Sequence, residues 1–107
     1  MIIKIRRHFS AAYSMLSSEQ QQLREAAAQF VDDNIKPDAA LIDTGTHDIR
    51  KYFQGLGELG MLGITCPEEY GGTDLGYLEH CIVSEEVSRG SGSIGVSYIT
   101  TTNLCLN

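Results

Sequence analysis

Two glycine runs, "GLGELG" at residues 55–60 and "GSGSIG" at residues 90–95, both spell G-x-G-x-x-G, and the residues around them decide what they can build. A fingerprint that cradles a dinucleotide pyrophosphate follows a strand and opens a helix, whose amides then point at the phosphates. Before the first run, Ile49, Tyr52, Phe53, Leu56 and Leu59 recur at helical spacing behind Asp48, a helix-capping residue type. A helix therefore runs into these glycines, with Gly60 predicted as its C-cap. The following "MLGITCPEEYGG" holds Pro67 and a glycine pair, which a starting helix does not carry. Before the second run, Leu78, Cys81, Ile82 and Val87 fall roughly at helical spacing, so "GSGSIG" is predicted as a helix-to-helix turn. Neither run reads as a nucleotide site. Close packing is the expectation, with Gly57 and Gly60 admitting a neighbouring backbone.

The rest of the chain is also helical in pattern. Ser17 is a predicted N-cap with Gln20 three residues on, Leu16 holds the staple position, and Leu23, Ala27, Phe30, Val31 and Ile35 form one apolar stripe ending near Pro37. Pro37 suits the first turn of a short helix, "PDAALID", with Ala40, Leu41 and Ile42 expected inside before "TGTHD" breaks it. The last segment, "SIGVSYITTTNLCLN", is ambiguous: its β-branched residues favour a strand, but its apolar positions do not alternate.

Composition narrows function. After residue 15 the net charge is −9, from five basic and fourteen acidic side chains. Such a body repels phosphate backbones, which excludes nucleic acid as a partner. No apolar run reaches the roughly 20 residues of a membrane span. Cys66, Cys81 and Cys105 are odd in number, 15 and 24 positions apart, with no companion His at zinc spacing, so neither a metal nor a disulfide is indicated. His80 beside Cys81 reads as a surface His next to a core Cys, and the acidic pairs at 68–69 and 85–86 as solvated surface. No catalytic residue is assigned. The opening "MIIKIRRHFSAAYSM", with Lys4, Arg6 and Arg7 and no acid, has the composition of a mitochondrial transit peptide, with a disordered basic tail as the alternative. The "RHFS" within it is similar to a matrix-processing site, with the cut after Phe9. The expected organisation is a leader over residues 1–15 and one helical domain over 16–107.

"LSSEQQQLREAAAQFV", the unbroken "LGELGMLGITCPEEYGGTDLGYLEHCIVSEEVSRGSGSIGVSY" and "TTNLCLN" resemble the amino-terminal helical domain of the acyl-CoA dehydrogenases over residues 16–107. The likeness is nearest to the branch that takes short branched acyl chains. It departs at Ile99–Thr102, where that branch carries smaller residues and a His.

The resemblance implies an all-α bundle domain, truncated at its carboxyl end, whose β-domain and second helical domain lie outside this chain. It implies a mitochondrial-matrix enzyme using FAD, working as a homotetramer, oxidising isovaleryl-CoA or another short branched acyl-CoA of leucine catabolism, and passing electrons to electron-transferring flavoprotein. The flavin site and the glutamate base belong to the missing domains, so the fragment alone is expected to be inactive. It also implies that the tail is a helix. Ser97, Tyr98, Thr101 and Cys105 then share a face toward the distal end of the acyl chain, with Tyr98 as a plug and Cys105 equally suited to core packing. Two other readings are a non-catalytic helical module docking on full-length relatives, and a module that only binds acyl-CoA.

Overall fold

Ser17 starts the first helix through a reciprocal cap: its Oγ accepts the Gln20 N–H at 3.1 Å, and Gln20 Oε1 accepts the Ser17 N–H at 3.0 Å. The computed structural model describes residues 15–106, so the expected leader lies outside the described residues except for Met15. Helix α1, Ser18–Phe30, buries Ala27, with Leu23 and Phe30 packed beside the core. The Phe30 carbonyl is then taken by the Asn34 side chain at 3.0 Å, and Pro37 has no N–H to offer the preceding turn. The chain widens into a π-helical turn, Val31–Ile35, tightens through a 3₁₀ turn at Lys36–Asp38 and enters the short α2, Ala39–Ile42. Ile42 is buried as expected. Ala40 and Leu41 are not: Leu41 is 54% exposed, because one turn of helix presents a single side to the core.

Asp48 Oδ1 accepts the Arg50 N–H at 3.0 Å and opens α3, Arg50–Glu58. The helix stops where Gly60 turns left-handed, at φ 73°. The Met61 N–H returns to Leu56 O at 2.8 Å and the Gly60 N–H to Gly57 O at 2.9 Å, a Schellman closure. The neighbours that close on this run are side chains rather than the expected backbone: a Cβ at Gly57 would meet Leu62 Cδ1 at 3.3 Å, and one at Gly55 the Phe30 ring at 2.5 Å. The chain from Met61 to Gly76 folds back on itself, with Thr73, Asp74 and Leu75 N–H donating to Gly63, Cys66 and Ile64 carbonyls at 2.9, 2.9 and 2.7 Å.

Helix α4, Tyr77–Gly90, is the central element and packs against both α1 and α5, Gly92–Ile99. Ser91 alone separates α4 from α5, its Oγ accepting the Ile94 N–H at 3.3 Å. The tail is helical: α5 continues as a π-helical turn, Thr100–Cys105, and no strand occurs among the described residues. The second glycine run lets helices approach, since a Cβ at Gly90 would lie 2.3 Å from Val31 Cγ1 in the π-helical turn that extends α1. Gly90→Ala forces a methyl into that crossing. Its expected cost is about 1–3 kcal/mol, read as a lower urea midpoint; an unchanged midpoint would refute the close contact.

Candidate functional site

Three hydroxyl groups bond back to the carbonyls of α5. Ser97 Oγ donates to Ser93 O at 3.1 Å, Thr101 Oγ1 to Ser97 O at 2.9 Å and Thr102 Oγ1 to Tyr98 O at 2.8 Å. Such bonds to carbonyls four residues back bend helices, and a π-helical turn follows them. They also occupy the hydroxyl protons of Ser97 and Thr101 within their own helix. These two residues line an open groove of about 640 Å³ between α5 and α3, with Ile49, Phe53, Gly57 and Leu62 as its apolar wall and Arg50 and Gln54 as its other lining residues. Arg50 is held by Asp48, its Nη2 at 3.0 Å from Oδ2. The lining contains no carboxylate, imidazole, thiol or phenol. The groove can receive an apolar chain, and it has no group to move a proton.

Tyr98 lies on the other side of the helix. Its ring is 0% exposed, and its hydroxyl donates to Met61 O at 2.5 Å, directly after the Gly60 turn. Burial raises the phenol's pKa well above its ordinary value. The structure therefore brings Ser97 and Thr101 together at the groove, turns Tyr98 into the core and leaves Cys105 exposed. Residues i and i+1 of a helix differ by about 100°, enough to separate Ser97 from Tyr98.

The same geometry reverses the expectation for residues 80 and 81. His80 is buried and Cys81 is exposed, because the inner face of α4 runs through His80, Val83, Ser84 and Val87. Glu86 is likewise not solvated: it is 3% exposed, with Oε2 at 2.7 Å from Arg89 Nε and Oε1 at 3.8 Å from Arg24 Nη1. Arg89 reaches on to Asp32 of the α1 extension at 2.9 Å and, through that bond, holds the carboxyl below its usual range. A second cluster joins the Tyr52 hydroxyl to Asp38 Oδ2 at 2.6 Å, with Lys51 Nζ and His47 Nε2 beside it. Glu86 and Arg89 are an i,i+3 pair on α4, but Arg24, Asp32 and Asp38 reach their partners from other elements, which nothing local in the sequence marks.

Neither glycine run fits the pyrophosphate of a flavin. The first glycine run ends a helix, where carbonyls rather than amides face outward. The second is filled by Val31 against Gly90 and Ser88 against Gly95, leaving no room for a pyrophosphate. Among the described residues no group of three or more His, Cys, Asp or Glu could hold a metal ion, and no helix is long and apolar enough to cross a membrane.

Residues 17–107 match the family profile described as "Acyl-CoA dehydrogenase, N-terminal domain". The chain is 48% identical over 98 residues to "Isovaleryl-CoA dehydrogenase, mitochondrial" of Pongo abelii, covering 90% of this chain and 23% of that protein. It is 43% identical over 115 residues to the protein of the same name in Solanum tuberosum, covering 99% and 28%. It is also 45% identical over 103 residues to "2-methylacyl-CoA dehydrogenase, mitochondrial" of Solanum tuberosum, covering 91% and 25%. The chain thus spans about a quarter of the length of these relatives. It belongs to the acyl-CoA dehydrogenases, and residues 17–107 are amino-terminal domain of that family.

Proposed function

We propose that this chain is the amino-terminal part of a flavin-dependent acyl-CoA dehydrogenase that oxidises isovaleryl-CoA or another short branched acyl-CoA. The observation that carries the reading is the 48% identity over 98 residues to a relative of that name. The mitochondrial names of the relatives, together with the basic, acid-free residues 1–15, support a place in the mitochondrial matrix. In the complete enzyme FAD supplies the hydride acceptor. It is held by parts of the protein other than the described residues, whose glycine runs are closed to it. Electron-transferring flavoprotein as the electron acceptor and a homotetramer are the partners this reading entails.

The contribution of this chain is shape. The groove between α3 and α5 takes the distal end of the acyl chain, with Ser97 and Thr101 on one wall and Phe53 and Leu62 on the other. Tyr98 acts from behind, by fixing α5 in place. Each buried methylene contributes about 0.8 kcal/mol, so filling the groove penalises the chains that reach furthest into it. Thr101→Phe in a complete enzyme carrying this segment is expected to lower kcat/KM for isovaleryl-CoA about tenfold or more, and to spare a shorter acyl group. Measuring kcat/KM across acyl lengths at equal flavin content decides it: an equal loss at every length removes the groove from the acyl site.

A further inference from the structure

The π-helical turn at the end of α5 is largely exposed. Thr101 and Thr102 each donate a hydroxyl to the carbonyl four residues back, and of residues 100–105 only Thr102 is buried, at 2% exposure. Thr102 is thus the one side chain in this turn that is enclosed by the rest of the protein. Its Oγ1 lies 2.7 Å from Nε2 of His80 on α4, in a site where His80 is itself 6% exposed.

The direction of the hydrogen bonds follows from counting protons. A threonine hydroxyl has one proton to give. Thr102 donates it to Tyr98 O at 2.8 Å, and that carbonyl has none to return. Nε2 must therefore be the donor to Thr102, which fixes the neutral imidazole as the Nε2–H tautomer. The ring is held in register by stacking on Tyr98, with centroids 5.9 Å apart and planes at 18°, and by the edge of Tyr77 at 6.5 Å. We propose that His80 is a positioning residue, whose Nε2–H clamps Thr102 and so holds the last turn of α5, with Thr101, at the groove. The functional weight of the clamp rests on the acyl-site reading given above; its existence does not.

Acid opposes the clamp. The groups facing the imidazole are the Tyr98 phenol from α5 and Tyr77 from its own helix, while the neighbouring Glu79 is engaged by Gln20 of α1 at 2.7 Å. Residues 94–104 carry no charged side chain. Burial alone pushes the imidazole pKa below its ordinary value, so the neutral clamp persists above about pH 6.5, the unfolded pKa, and is lost as pH falls through the lower folded value. Protonation at Nδ1 leaves the Nε2–H donor in place, so acid acts on the clamp only through the cost of burying the charge, which the ring relieves by moving toward water.

The test uses the full 107-residue chain and needs no acyl ligand. Ring ¹⁵N chemical shifts should report Nε2–H at neutral pH, and protection of the 101–105 amides should fall as His80 takes up a proton. Thr102→Val and His80→Phe, which keeps the stacked ring but has no donor, should each reduce that protection about 3- to 10-fold at neutral pH, the scale of one net hydrogen bond. His80→Gln, which restores a donor at the same reach, should recover part of it and abolish the acid dependence. An Nδ1–H tautomer would overturn the proposal. So would unchanged protection in Thr102→Val, or 101–105 amides unprotected in the parent chain at neutral pH. If the clamp stands while Thr101→Phe leaves the acyl-length profile flat, the acyl-site reading fails and the clamp survives.

Discussion

Tyr98→Ala is expected to destabilise the chain by about 3–5 kcal/mol, the range for deleting a fully buried aromatic ring. The ring is enclosed by the core cluster that includes Leu56, Met61, Val87 and Ile94, and it is stacked on His80, so truncation opens a cavity behind α5 rather than extra room in the groove. Tyr98→Phe isolates the hydroxyl: it leaves the buried Met61 carbonyl without its donor, at a cost of about 1–3 kcal/mol. A small domain is stable by only about 5–15 kcal/mol, so the Ala variant spends a large part of its margin and the Phe variant a smaller part. Urea unfolding of the two variants gives the ordering. A plug facing the acyl chain would behave otherwise: Tyr98→Ala would leave stability nearly intact and shift a complete enzyme toward longer acyl chains. That pair of outcomes would put Tyr98 back into the groove. A uniform fall in kcat/KM across acyl lengths, with lost stability, fits the buried position.

The parts of this fold that can be read from the sequence are those decided by local chemistry. Ser17 and Gln20 cap a helix because a hydroxyl and an amide three residues apart can reach one another's backbone. Gly60 ends α3 because a left-handed residue is cheapest as glycine. Rejection of the glycine runs as a nucleotide site likewise needed only the local pattern: a helix running into each of them and no strand before either. What periodicity misassigns is concentrated in α4, where Leu78 and Cys81 are exposed while His80, Ser84 and Glu86 are buried. This helix is covered on two sides, by α1 and by α5, so polar residues are enclosed wherever another helix supplies a partner. Those partners are remote in sequence: Asp32 lies 57 positions from Arg89, and Thr102 lies 22 from His80. The groove has the same character. Ser97 and Thr101 are legible as one helical face, but Phe53, Gly57 and Leu62 join them only through the packing of α3.

Glu86 is the clearest consequence of that packing, and Glu86→Ala is expected to cost about 2–4 kcal/mol. Removing one member of a buried ion pair strands the other, at about 3–5 kcal/mol when both are enclosed. Here the figure is lower because the Arg24 and Arg89 side chains are 26% and 40% exposed and regain part of their hydration, and because Arg89 keeps Asp32. The loss falls on the seam between α1 and α4, since Arg24 and Asp32 belong to the first helix and its extension while Glu86 and Arg89 belong to α4. Arg50→Ala, which breaks the exposed pair with Asp48, is the control and should cost less than about 1 kcal/mol. Salt separates them further: 1 M NaCl shortens the screening length to about 3 Å and weakens an exposed pair far more than an enclosed one. Urea midpoints of the parent chain and the two variants, at low and high salt, are the measurement. If Glu86→Ala costs no more than Arg50→Ala, the carboxylate is solvated as its sequence context suggests, and the seam is held by the apolar contacts of Ala27, Val31, Val83 and Val87 alone.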